Sequence, residues 1–83
     1  MGWLDFLFGN KNKGRDGLST EKAIIVDSIA AEYQWVRENC PGFAPEMQAL
    51  QQINGKPFDV LTVRSASGES RTIYFDISAF YGY

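Results

Sequence analysis

Histidine is absent from the 83 residues of this chain, and cysteine occurs once, at Cys40. The first absence excludes Ser-His-Asp and Cys-His catalysis, histidine metal sites and the commonest general base near neutral pH. The second excludes an internal disulfide and a thiolate metal cage, and it points to a reducing compartment. Neither a glycine-rich loop followed by Lys and Ser or Thr, which a phosphate-binding P-loop needs, nor a dinucleotide fingerprint occurs. No cofactor is expected. An excess of one charge is missing as well: Lys and Arg number 8 against 10 Asp and Glu, for a net charge of -2. With the signs mixed, there is no basic field to hold nucleic acid and no acidic block. No apolar run approaches the ~20 residues of a membrane-spanning helix. The opening "MGWLDFLF" has no basic residue ahead of its short apolar run, so a secretory signal is not expected there, and Phe6 stands where myristoylation prefers Ser or Thr.

What remains is the material of a small globular fold. Hydrophobic residues make up 45% of the chain and aromatics 14%. A chain this short forms one domain, burying only about 60% of the surface its unfolded form exposes, so large side chains must fill the core. Composition divides it into a short amphipathic N-terminal segment at 1–9, a flexible linker at 10–17 rich in Gly, Asn and Lys, and a single α+β domain at 18–83.

The stretch "STEKAIIVDSIAAEYQWVRENCPG" has two readings: one long helix from Thr20, or a strand over Ala23–Val26 followed by a helix over Asp27–Asn39. The β-branched run Ile24, Ile25, Val26 and the capping pair Asp27-Ser28 favour the second. In that helix Ile29, Tyr33, Val36 and Cys40 share a stripe, with Ala31 and Trp35 at its margin. Pro41 and Gly42 end it. Beyond Pro45 the period becomes two. "MQALQQI", "FDVLTVR" and "RTIYFDIS" read as strands joined by turns at "NGKP" and "SASGES", although Met, Gln, Ala and Leu are also good helix formers, which leaves 46–52 open between strand and helix. For the second hairpin, a three-residue loop over Ser67–Glu69 pairs Leu61 with Phe75 and Val63 with Ile73. It avoids the two-residue turn that would set Asp59 against Asp76 and Arg64 against Arg71. Leu61, Val63, Ile73, Phe75 and Ile77 then face the helix, and Val60, Thr62, Tyr74 and Asp76 the other side. The expected fold is α+β: one helix on an antiparallel sheet of three to four strands, in the order β-α-β-β-β.

Candidate chemistry is sparse. Cys40 falls at a helix C-terminus, where the dipole opposes a thiolate, so it is read as a small apolar core residue. Asp59 and Asp76 lie on one hairpin but on opposite faces, and Asp76 is read as a hydrogen-bond acceptor on a solvated sheet surface. Tyr74 beside Asp76 lacks the surrounding cations of a base-stacking platform, so nucleic acid is not an expected partner. Two features are left over: the apolar N-terminal cluster, with Lys11, Lys13 and Arg15 beyond it, which suits a fold-back, a docking contact or weak membrane-surface binding through residues 1–9; and the aromatic C-terminus "TIYFDISAFYGY". Phe80 is expected to plug the chain end against the core. The expected interaction surface is Trp3, Phe6, Tyr74, Asp76, Tyr81 and Tyr83, with no catalytic or metal residues.

The patterns "EYQWVRENCPG", "NGKPFDVLTV" and "GESRTIYFDISAFYG" together resemble a group of small bacterial proteins that share an acidic-Tyr-x-Trp helix, a Lys-Pro-aromatic-Asp-Val strand and an IYFDISxFxG-like C-terminus. The resemblance spans roughly residues 23–82 and implies a compact α+β domain in a cytoplasmic bacterial setting, with no activity to transfer. The functional expectation is a non-enzymatic module that binds a protein partner or itself, a homodimer included, through the sheet's outer face and the aromatic C-terminus, and exposed aromatic positions and a chain-end strand with an open edge point the same way. The alternatives are an adaptor anchored on the inner membrane surface by residues 1–9, and a small-molecule binder or carboxylate-based enzyme.

Overall fold

The computed structural model describes residues 12–81. Strand β1 (Ile24–Ile25) leads into helix α1 (Ile29–Asn39), and β2 (Phe43–Ile53), β3 (Lys56–Ser65) and β4 (Ser70–Asp76) follow. The element order β-α-β-β-β is the expected one, and among the described residues a single helix packs on a four-stranded sheet. The sheet is mixed rather than antiparallel. Its order is β1-β4-β3-β2, with β1 parallel to β4 and the other two pairings antiparallel. The chain therefore starts at one edge, crosses the sheet through α1, and returns along the opposite edge. This also corrects the expectation that the chain-end strand is open: β4 lies inside the sheet, and β2 is the long edge.

Local chemistry sets each boundary. Ser28, in extended conformation, caps α1 by accepting the Ala31 backbone N–H at 3.2 Å, which satisfies one of the free donors of the first turn. Asn54 (φ 52) and Gly55 (φ 78) make a two-residue turn with both φ positive, and this turn fixes Ile53 opposite Lys56. Clamped to β3 in this way, 43–53 is strand in spite of its helix-forming composition, with a bulge between Pro45 and Met47.

The β3–β4 register departs from the expected one. Leu61 pairs with Ile73 and Asp59 with Phe75, and the loop is Ala66–Gly68. Three-residue hairpin loops end on a left-handed residue. A loop over Ser67–Glu69 would have forced Glu69 into that conformation, whereas the observed one gives it to Gly68 at φ 92. Like charges are still kept apart, and the face assignment survives because both strands keep their parity.

On the helix side of the sheet, Ile24, Leu61, Val63, Ile73, Phe75 and Ile77 meet Ala31, Val36 and Cys40, with Tyr33, Trp35, Phe43 and Phe80 packed around them. The rings of Trp35 and Phe75 meet nearly perpendicular, at a centroid distance of 5.8 Å. The buried stripe of α1 is rotated from the expected one. Ile29 is 43% exposed, while Glu32 is fully buried, on the same face as Val36 and Cys40. Ala31, Trp35 and Val36 carry the apolar contact, and Ile29 lies outside it.

Residues 12–17, which composition assigns to a linker, lie against the β1 edge. The Asn12 side-chain amide accepts from the Ile25 N–H at 2.7 Å and donates to the Ile25 carbonyl at 3.1 Å. Arg15 donates to the carbonyls of Glu21 and Ala23. The Gly17 carbonyl takes the Tyr74 N–H at 2.7 Å.

Candidate functional site

Two features of the structure have no counterpart in ordinary packing: a buried pair of acids under the helix, and the long outer edge formed by β2.

Glu32 comes from the first turn of α1 and Asp59 from β3, on the face the helix covers. Glu32 is 0% exposed and Asp59 2%. Neither Glu32 carboxyl oxygen has a hydrogen-bond donor. Burial first, then the hydrogen bond to Asp59, then the Asp59 charge push the Glu32 carboxyl up to about 9. Protonated, it becomes a donor to Asp59, which removes the charge repulsion and satisfies one oxygen together. A chain of polar groups runs from this pair to the surface. The Gln48 amide nitrogen donates to Asp59 Oδ2, and the Tyr33 hydroxyl donates to Gln48 Oε1 at 3.0 Å. Since Gln48 belongs to β2, these bonds tie the edge strand to α1 and β3.

Two cavities adjoin Trp35. One of about 410 Å³ is lined by Arg15, Arg71, Asn39 and Cys40 among others, and a smaller one of about 30 Å³ includes Asn12 and Gln34. Glu32, Asp59 and Asp76 line neither. Among the described residues no group of three or more metal-binding side chains comes together. Arg71 stacks on Phe43 at 4.3 Å and pairs with Glu69 at 3.6 Å, and Arg15 is held by backbone carbonyls.

Strand β2 is exposed along most of its length, with only Phe43, Ala49 and Ile53 half-buried. Among the described residues it pairs with β3 alone. Met47 is 65% and Leu50 53% exposed, one on each face of the strand. From Met47 to Gly55 there is no charged residue. Edge strands are commonly blunted by Lys, Pro or bulges. Here such devices, Pro45 and the bulge at Glu46, sit at one end only, where Glu46 pairs with Arg64 at 2.9 Å.

Of the expected interaction residues, Tyr74 is half-buried on the sheet face away from the helix, and Tyr81 is 40% exposed in the turn after β4. Asp76 shares the face of Tyr74 but is only 7% exposed, so it is not the solvated acceptor expected. It accepts from the Ser78 N–H at 3.0 Å and from the Ser78 hydroxyl, and it pairs with Lys56 at 3.2 Å. Burial raises its carboxyl, but Ser78 and Lys56 outweigh this and hold it below the ordinary value of 3.8. Trp3, Phe6 and Tyr83 lie outside the described residues. Glu32 was missed because a glutamate in a helix is ordinarily solvated. Its spacing of four from Val36, and of eight from Cys40, was the available signal.

Among the described residues no helix is long and apolar enough to cross a membrane. In comparisons with family models, curated proteins and solved structures, the chain matched none of them.

Proposed function

We propose that this protein is a non-enzymatic interaction module that takes up a β-strand along the outer edge of β2. The observation that carries the reading is the uncharged run from Met47 to Gly55 on a long edge strand whose Met47 and Leu50 side chains are exposed. An added strand pairs its main chain with the edge and seats alternate side chains on the two apolar residues. A rigid edge serves this better than a loose one, and the Tyr33–Gln48–Asp59 bonds brace β2 from the helix side. The free, buried thiol of Cys40 is in keeping with a reducing, cytoplasmic setting.

A photo-activatable residue in place of Leu50, compared in cells with one in place of the exposed helix residue Arg37, tests the reading. Adducts formed from position 50 and not from position 37 are expected. Equal labelling from both, or none from position 50, overturns it.

A small-molecule binder is a second reading, favoured by the cavity of about 410 Å³, where Trp35, Leu18 and Ile73 form an apolar wall and Arg15 and Arg71 outnumber Asp16, which suits a small anion with an apolar body. Benzoate and inorganic phosphate are the first probes. A rise in melting temperature that disappears in Arg71→Met supports this reading, and no rise with either probe removes it.

A further inference from the structure

We propose that the strand taken up along β2 is β2 of a second copy, antiparallel about a two-fold axis at Leu50; this rests on the edge-pairing reading above.

Hairpin geometry decides which main-chain groups are free. In a two-residue turn the flanking residues, Ile53 and Lys56 here, form a hydrogen-bonded pair. Because main-chain groups alternate along a strand, Ile53, Gln51 and Ala49 point theirs at β3, and Gln52, Leu50 and Gln48 point theirs outward. A second copy must therefore pair even-numbered positions with even-numbered ones, which keeps each face of the joined sheet continuous.

Side chains select one register among these. Centred on Leu50, the pairing sets Leu50 against the partner's Leu50 and Gln48 against the partner's Gln52. On the other face, Met47 meets the partner's Ile53. Apolar side chains oppose apolar ones at Leu50 and Met47, amides oppose amides at Gln48, and Ala49 falls beside the partner's Gln51, with about six new main-chain hydrogen bonds from the outward groups. Shifting by one pair in either direction sets Leu50 against a glutamine and Met47 against the partner's Gln51 or Gly55, which wastes both apolar contacts. Charge permits the favoured register as well. No ionised side chain lies between Met47 and Gly55, and Glu46 falls beside the partner's Asn54. One strand pair is at the small end of specific interfaces, below about 1,200 Å² in total, so the dimer is reversible and concentration-dependent.

The test uses the full chain. Sedimentation over a concentration series is expected to give a monomer–dimer equilibrium, and Leu50→Lys, which brings two ammonium groups together at the axis, weakens it at least tenfold. Under mild oxidation Leu50→Cys cross-links to itself, while Gln48→Cys and Gln52→Cys do so only when the two are mixed. In the unsubstituted protein, exchange protection of the Gln48, Leu50 and Gln52 amides rises with concentration, while that of Gln51 is high throughout. A dimer that Leu50→Lys leaves intact, or cross-linking without regard to position, overturns the proposal. So does a strict monomer at millimolar concentration. In that last case the adduct from position 50 in cells separates the two ideas: an adduct of some other mass keeps the edge reading and removes the second copy, and no adduct removes both.

Discussion

Replacing Glu32 with Gln is expected to make the protein more stable at neutral and alkaline pH, for reasons that follow from one carboxyl. Its folded value lies near 9, above the ordinary 4.5 that it regains on unfolding. Between those two values the folded chain holds one proton more than the unfolded chain. Stability therefore falls as pH rises, by about 1.36 kcal/mol per pH unit for one proton. The contribution is fully present below about 4.5 and exhausted above about 9. From pH 5 to pH 8 this amounts to at most about 4 kcal/mol, large against the roughly 5–15 kcal/mol total of a small domain. The amide introduced by Glu32→Gln keeps the shape of the protonated acid and offers Asp59 the same donor at every pH. Urea titrations followed by tryptophan fluorescence, at pH steps from 5 to 9, read the effect: the unsubstituted protein loses stability steadily while the variant stays level. Asp59→Asn provides a second arm. It removes two of the three causes of the shift, so the slope should flatten at a lower pH and the total loss should be smaller. Parallel profiles for the unsubstituted protein and Glu32→Gln would refute the reasoning, because they would mean that the carboxyl is ionised in the folded state at little cost.

Three further predictions bear on other parts of the molecule. A Cβ at Gly17 would meet Ile73 Cγ2 at 2.8 Å and Ile24 Cγ1 at 3.1 Å, at a φ of 77, whereas one at Gly55 meets nothing within 4 Å. Thermal melts should therefore give a cost of about 1 kcal/mol for Gly55→Ala, from the left-handed backbone alone, and about 2–4 kcal/mol for Gly17→Ala; equal costs would mean that the contact with the core yields freely. Asp76, held below its ordinary value, stabilises the fold above that value and loses the contribution as pH falls through it, opposite in sign to Glu32. Asp76→Asn should cost about 1 kcal/mol at pH 7 and progressively less as the pH falls below 3.8, as chemical denaturation across that range would read. If residues 1–9 anchor the chain on a membrane surface, flotation with anionic vesicles should separate the full chain from one lacking them, and identical flotation removes that idea.

What could be read in advance divides along physical lines. The places of the two hairpin turns were legible because Asn54-Gly55 and Gly68 spell a backbone requirement in residue type, although the second loop falls one residue earlier than the expected Ser67–Glu69. The strand-then-helix reading held because β-branched residues and a serine cap state their preferences locally. The character of β2 stayed open for a reason the fold makes plain: a strand exposed on both faces needs no strict alternation, so its period of two was imperfect. Its place at the edge, and that of β4 inside, depend on which partners meet across the sheet, and no local signal carries that. Glu32 and Asn12 were hidden differently. Each belongs to a residue class that usually faces water, and each is held by one specific arrangement, a neighbouring acid in one case and the main chain of Ile25 in the other.

That last arrangement bears on how far association can go. The Asn12 amide occupies both main-chain groups of Ile25, and Gly17 takes the Tyr74 N–H, so a strand arriving on the β1 side finds these sites already filled. Head-to-tail growth into a filament requires two different edges that fit one another. With the β1 side sealed by its own chain, the proposed joining through β2 would use up the edge left open among the described residues of both molecules, and assembly would end at two. Opening the seal, by Asn12→Ala for instance, would give the proposed dimer a second edge and with it a route to polymers.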